Sequence, residues 1–161
     1  MKEKKFEFDY QVYDSIAELN EQDAWLLNEA RLVTEQAYAP YSNFHVGAVA
    51  MMANGEVVAG TNQENASYPV GICAERVLLS TIASQHPGVA IDTIAISYEN
   101  KNGKSNKPVS PCGICRQSLV EFEMRTGQPI RLILAGMEGK ILIISSASLL
   151  LPLSFNADDL L

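Results

Sequence analysis

The chain has 161 residues, 47% of them hydrophobic and 19% charged, the balance of an ordinary soluble globular protein. That length predicts one domain with room for a real core. A formal net charge of −7 argues against non-specific affinity for nucleic acid, whose grip depends on Lys and Arg neutralising phosphates.

Met1 to Tyr10 is charged and aromatic, with no basic segment leading into an apolar stretch, so no signal peptide is expected. The segment to Gln22 is loosely patterned; Ser15-Ile16-Ala17-Glu18 has the form of a capping box for a short helix. Asp23 to Tyr38 reads as an amphipathic helix with Trp25, Leu26, Ala30, Val33 and Ala37 on one broad face, stopped by Pro40. Val46–Met52 and Glu56–Thr61 read as strands joined by Ala53-Asn54-Gly55, a strong hairpin signal. A loop through Tyr68-Pro69-Val70-Gly71 leads to a second helix, from about Cys73 to Ser84. Ile91 to Tyr98 is a strand, and Glu99 to Val109 a polar loop. A third helix starts near Pro111 or Cys112 and is closed by Gly127 and Pro129. Ile130–Ala135 and Lys140–Ser145 are the last strands. Four residues separate them, too few for a parallel crossover, so they should run antiparallel. The apolar tract Ile141 to Leu153 is broken by serines and Pro152 and is too short to span a bilayer, so no membrane partner is expected. The sum is an α/β sheet of five strands with helices on its faces.

The chain has three cysteines, which cannot all pair; the close Cys-x-x-Cys suits a metal or redox role in a reducing compartment, so the cytoplasm is expected. Cys73 opens Cys73-Ala74-Glu75-Arg76, and Cys112 and Cys115 lie in Pro111-Cys112-Gly113-Ile114-Cys115-Arg116-Gln117. All three fall at expected helix starts, where unpaired N–H groups and the helix dipole favour thiolate, the form that binds zinc. Three thiolates leave one position of a tetrahedral metal open, the mark of a catalytic rather than a structural zinc. Glu75 is then a carboxylate beside that position. Three thiolates also concentrate negative charge, and Arg76, Arg116 and Gln117 are the adjoining candidates to donate hydrogen bonds to the sulfurs. Taken alone, Cys-x-x-Cys also fits a redox pair, which leaves Cys73 unexplained. It fits half of a closed zinc site too, for which His45 and His86 are the available histidines.

These motifs resemble the zinc-dependent cytidine deaminases, specifically the small homotetrameric type. Tyr41-Ser42-x-Phe44-x-Val46-Gly47-Ala48 is similar to that family's opening motif. Asn62-Gln63-Glu64-Asn65-Ala66-Ser67-Tyr68 is similar to its nucleoside-binding motif, with Gln63 where Val or Ile is more usual. Leu151-Pro152-x-x-Phe155 through Asp159-Leu160 resembles its C-terminal segment. The resemblance runs from about Asp23 to the end, marking residues 23–161 as a deaminase domain and 1–22 as an N-terminal extension without a counterpart.

The resemblance implies a three-layer α/β/α sandwich with a five-stranded mixed sheet whose last pair is antiparallel, as in the branch that acts on free nucleosides. It implies one zinc per subunit on Cys73, Cys112 and Cys115, with Glu75 moving protons between an activated water, the ring N3 and the departing amine. The implied reaction is hydrolytic deamination of cytidine and 2′-deoxycytidine in pyrimidine salvage. Asn62 and Glu64 would hold the ribose, Phe44 pack on the pyrimidine and Ala74 offer its backbone N–H. Phe155 would reach a neighbouring subunit's site in a homotetramer that shares its active sites. A related aminonucleoside deaminase of the blasticidin-S type shares the cysteine motifs. A structural zinc module is the alternative of another class, and it requires a fourth protein ligand.

Overall fold

In a computed structural model the described residues, 1–160, form a single mixed sheet covered on both faces by helices. The strands are β1 (Gln11–Tyr13), β2 (Phe44–Met52), β3 (Val57–Thr61), β4 (Ile91–Asn100), β5 (Arg131–Ala135) and β6 (Ile141–Ile144). The helices are α1 (Glu21–Leu32), α2 (Ala74–Gln85) and α3 (Gly113–Thr126). The order across the sheet is β1-β6-β5-β4-β2-β3, and only β4 and β5 pair in parallel.

Alternation along the strands builds two cores. Val49, Ala95, Ile133, Ala135, Ile141 and Ile143 face Leu26, Leu27 and Ala30 of α1. Their neighbours Ala48, Ala50, Ile94, Ile96, Leu132, Leu134 and Ile144 face Leu78, Ile82, Leu119 and Phe122 of α2 and α3. This is the expected α/β/α sandwich. As the connection length required, β5 and β6 are antiparallel, with Ile133 opposite Ile143.

Three expectations are corrected. The sheet has six strands rather than five: Gln11–Tyr13 pairs antiparallel with β6, Val12 opposite Leu142, so the N-terminal extension supplies an edge strand. Helix α1 begins two residues early, because Asn20 caps it by accepting the Asp23 N–H at 2.9 Å. It ends at Leu32 and tightens into a 3-10 turn over Val33–Gln36, where the Thr34 hydroxyl donates to the Arg31 carbonyl at 2.7 Å. Its buried face is Asp23, Leu26, Leu27 and Ala30, and Trp25 is exposed. The capping box at Ser15 does not form; the Ser15 side chain makes no cap bond, and Ile16–Glu18 is one 3-10 turn.

One glycine sets how closely the second helix approaches the sheet. A Cβ on Gly60 of β3 would lie 2.5 Å from the Leu78 backbone nitrogen and 2.7 Å from the Ala74 carbonyl oxygen. Both atoms belong to α2, so Gly60→Ala must push the helix outward, together with its first turn. Overpacking of this kind costs about 1–3 kcal/mol. For a domain of this size that is a fall in melting temperature of roughly 2–12 °C. Thermal unfolding of Gly60→Ala against the parent checks the expectation.

Candidate active site

Two helix starts meet beside the start of β2. Cys73 is the N-cap residue of α2 and Cys112 that of α3, each with extended backbone. Cys115 lies in the first turn of α3 and is fully buried, whereas Cys112 is exposed. The sulfurs are 3.7 Å apart for Cys73 and Cys112 and 3.4 Å for Cys112 and Cys115. All three lie within 4.8 Å of one another. A tetrahedral ion with sulfur ligands at 2.3 Å sets its sulfurs about 3.8 Å apart, so the cluster fits zinc with little adjustment. The same distances rule out a disulfide, whose sulfurs are about 2 Å apart.

Among the described residues no His, Asp or Glu joins the three sulfurs. His86 Nδ1 instead meets Glu56 Oε2 at 2.8 Å, at the far end of α2. Three protein ligands rather than four is the catalytic pattern. The neighbouring Cys115 thiol stabilises the Cys73 thiolate and draws its pKa down to about 6, against the burial that raises it. Cys115 is held well above its ordinary range by that same partnership and by burial. A cation at the centre would replace this sharing, since it binds thiolates and releases their protons.

Glu75 sits in the first turn of α2 with 5% of its surface exposed. Burial pushes its carboxyl above the usual carboxylate range. A carboxyl so raised approaches the pH range in which one group both takes and returns a proton.

A cavity of 350 Å³ opens beside it, walled by Phe44, Asn62, Glu64, Cys73, Ala74, Glu75 and Cys112, with Val109 and Ser110 on the rim. The fold therefore brings together seven residues singled out from four separated motifs. Phe44 is clamped in the wall by stacking on Tyr98, ring centroids 4.6 Å apart at 14°. Asn62 fixes the start of β2: its Oδ1 accepts the Val46 N–H at 2.7 Å and its Nδ2 donates to the Phe44 carbonyl at 2.9 Å. Glu64 accepts the N–H groups of Tyr41 at 2.9 Å and Ser42 at 3.2 Å, and the Ser42 hydroxyl as well. Although desolvation pushes its carboxyl up, those hydrogen bonds prevail and hold it below its ordinary value.

Other candidates lie elsewhere. Gln117 donates to the Phe155 carbonyl at 2.9 Å rather than to a sulfur. Arg116 bonds two carbonyl oxygens, of Pro111 and Leu150. Arg76 acts on Cys73 through its charge, favouring the thiolate. The Phe155 ring is 59% exposed and takes no part in the cavity wall of its own chain.

The family profile described as the cytidine and deoxycytidylate deaminase zinc-binding region matches residues 20–128. The chain belongs to this family. A cytidine deaminase of Halalkalibacterium halodurans is 39% identical over 135 residues, covering 84% of this chain and 95% of that one. The cytidine deaminase of Mycoplasma genitalium is 42% identical over 99 residues, 61% of this chain and 71% of its own. The crystal structure of the cytidine deaminase from Burkholderia pseudomallei superposes with a TM-score of 0.71 at 36% identity, covering 85% of this chain and all of that one. The protein is thus a zinc enzyme of the cytidine deaminase family, and the three-cysteine cluster is where its residues fit the metal. The first 19 residues, β1 among them, lie outside the family match. Among the described residues no helix is long and apolar enough to cross a membrane.

Proposed function

We propose that the protein hydrolyses cytidine and 2′-deoxycytidine to uridine and 2′-deoxyuridine with release of ammonia, as a step of cytoplasmic pyrimidine salvage. The observation that carries this reading is the shared cavity: two of the three metal-binding cysteines, Cys73 and Cys112, and the buried Glu75 open onto the same space as Phe44, Asn62 and Glu64. At 350 Å³ that space lies at the small end of ligand pockets, in keeping with one nucleoside.

Zinc, when bound, supplies Lewis-acid chemistry that brings the pKa of water toward neutrality. Glu75 takes a proton from the attacking water and delivers it to N3 as the C4 centre becomes tetrahedral; it then takes the proton of the new C4 hydroxyl and passes it to the amine, so that the C4 carbonyl forms, the C4–N bond breaks and ammonia leaves. Ala74 offers its backbone N–H beside the base from the start of α2. Phe44, already fixed by Tyr98, packs on the pyrimidine.

Asn62 and Glu64 meet the ribose. After its two backbone bonds the Asn62 amide keeps one N–H and one lone pair free, enough to serve a sugar hydroxyl. Glu64 is acceptor-only when ionised and is held ionised by its neighbours. It welcomes a 3′-hydroxyl and repels a 3′-phosphate, which together with the charge of −7 disfavours a polynucleotide. The antiparallel β5–β6 pair supports the free-nucleoside branch. The exposed Phe155 supports a homotetramer in which that ring completes a neighbouring subunit's site, with residues 23–161 as the catalytic unit and one zinc per subunit.

The test is a panel of cytidine, 2′-deoxycytidine, cytidine 5′-monophosphate, a cytosine-containing oligonucleotide and blasticidin S, on protein of measured zinc content. Loss of the cytidine absorbance band with stoichiometric ammonia is expected for the first two alone. Zinc-loaded protein that turns over neither of them overturns the reading.

A further inference from the structure

Arg116 grips both sides of the exposed ligand. Its Nε donates to the Pro111 carbonyl at 2.8 Å, and its backbone N–H donates to the Cys112 carbonyl at 2.9 Å. The carbonyls immediately before and at Cys112 are thus both bonded to one residue, and Pro111 itself is buried. Cys112 needs such fixing. It precedes the first helical residue, and its exposed side chain makes no cap bond to the helix.

The other arm of the guanidinium is anchored from outside the helix. Nη1 donates to the Leu150 carbonyl at 3.0 Å, 34 residues away, at the end of the 3-10 turn Ala147–Leu150. That turn is held in its own right by Glu123, a carboxylate 8% exposed with no cationic partner among the described residues. Glu123 accepts the N–H groups of Ala147 at 2.9 Å, Ser148 at 3.3 Å and Ile130 at 2.7 Å, and the Ser146 hydroxyl at 2.9 Å. Residues 116 and 123 are seven apart, on one face of α3. The helix therefore grips the turn at two points, and through the first of them the turn holds the entry to Cys112.

We infer that Arg116 is a positioning residue for the metal: bridging the Pro111 and Leu150 carbonyls, it holds the Cys112 sulfur in the place where the three-cysteine cluster retains zinc. A guanidinium suits the task because its rigid fork reaches two acceptors at once, and lysine cannot copy that geometry. The inference rests on zinc being bound at the three cysteines, which the zinc content of the parent protein tests separately.

The experiment follows zinc release from the zinc-loaded protein into excess chelator, with no substrate present. Arg116→Lys and Arg116→Ala are compared with the parent and with Ile144→Val, a core substitution on β6 that lowers stability at a residue making none of the clamp's hydrogen bonds. Loss of a residue that orients a ligand weakens metal binding about 10–100-fold, so release should accelerate by that factor in both Arg116 variants. Ile144→Val should release zinc at the parental rate. Parental release from folded Arg116→Lys overturns the inference, as does release from Ile144→Val as fast as from the Arg116 variants. Should Arg116→Ala fail to fold, Arg116→Lys, which keeps the stem and the charge, decides alone.

Discussion

Replacing Glu75 by Gln should abolish cytidine turnover by about 10²–10⁴-fold while the protein stays folded and keeps its zinc. The substitution conserves shape at a site only 5% exposed, so no cavity forms. It also removes a carboxyl whose charged form burial already disfavours, so folding loses no favourable charge. Glu75 does not belong to the sulfur cluster, and metal content should therefore equal the parent's. What the amide cannot do is take a proton from water and return it to N3 and the amine. The measurement pairs the rate of cytidine absorbance loss with zinc analysis of the same sample. Undiminished turnover removes Glu75 from the chemistry; lost turnover together with lost zinc assigns it to the metal site instead.

The chemistry of this site was legible because its parts are short and local. Cys73 and Cys112 cap their helices, and a cap is a feature of a few adjacent residues. The antiparallel β5–β6 pair followed from the length of one connection. What was hidden depends on distant partners. Gln11-Val12-Tyr13 carries no strand pattern of its own and becomes β1 only because β6 presents an open edge. On the buried face of α1, Leu27 rather than Trp25 joins Leu26 and Ala30, because the sheet beneath selects which side of the apolar stripe is covered. No motif marks Gly60, whose missing side chain lets α2 settle on β3. The neighbours of the ligands were candidates to bond the sulfurs, yet Arg116 and Gln117 reach carbonyls 34 and 38 residues away. Spacing along a helix places a side chain on a face; it says nothing about which remote backbone group will meet it there.

The largest effect on the metal should come from Cys115→Ala. Cys115 is the fully buried ligand and the one set inside a helical turn, so its sulfur has the least freedom to be replaced by a neighbour or by water. Two sulfurs remain, and zinc affinity should fall by more than the roughly 100-fold that loss of an outer hydrogen-bonding partner can cause. Cytidine turnover should then fall below detection with no zinc retained after dialysis. Stability separates this loss from a simple packing defect. A ligand present at about 1,000 times its dissociation constant stabilises the folded chain by roughly 4 kcal/mol, which for a domain of this size is a rise of about 8–16 °C in melting temperature. The parent should show that rise between chelator and excess zinc, and Cys115→Ala should show none. In chelator the two proteins should melt within a few degrees of each other, since removing one sulfur from a core costs only about 1 kcal/mol. A Cys115→Ala protein that still gains stability from zinc would show that the metal sits elsewhere, and the three-cysteine centre would have to be abandoned.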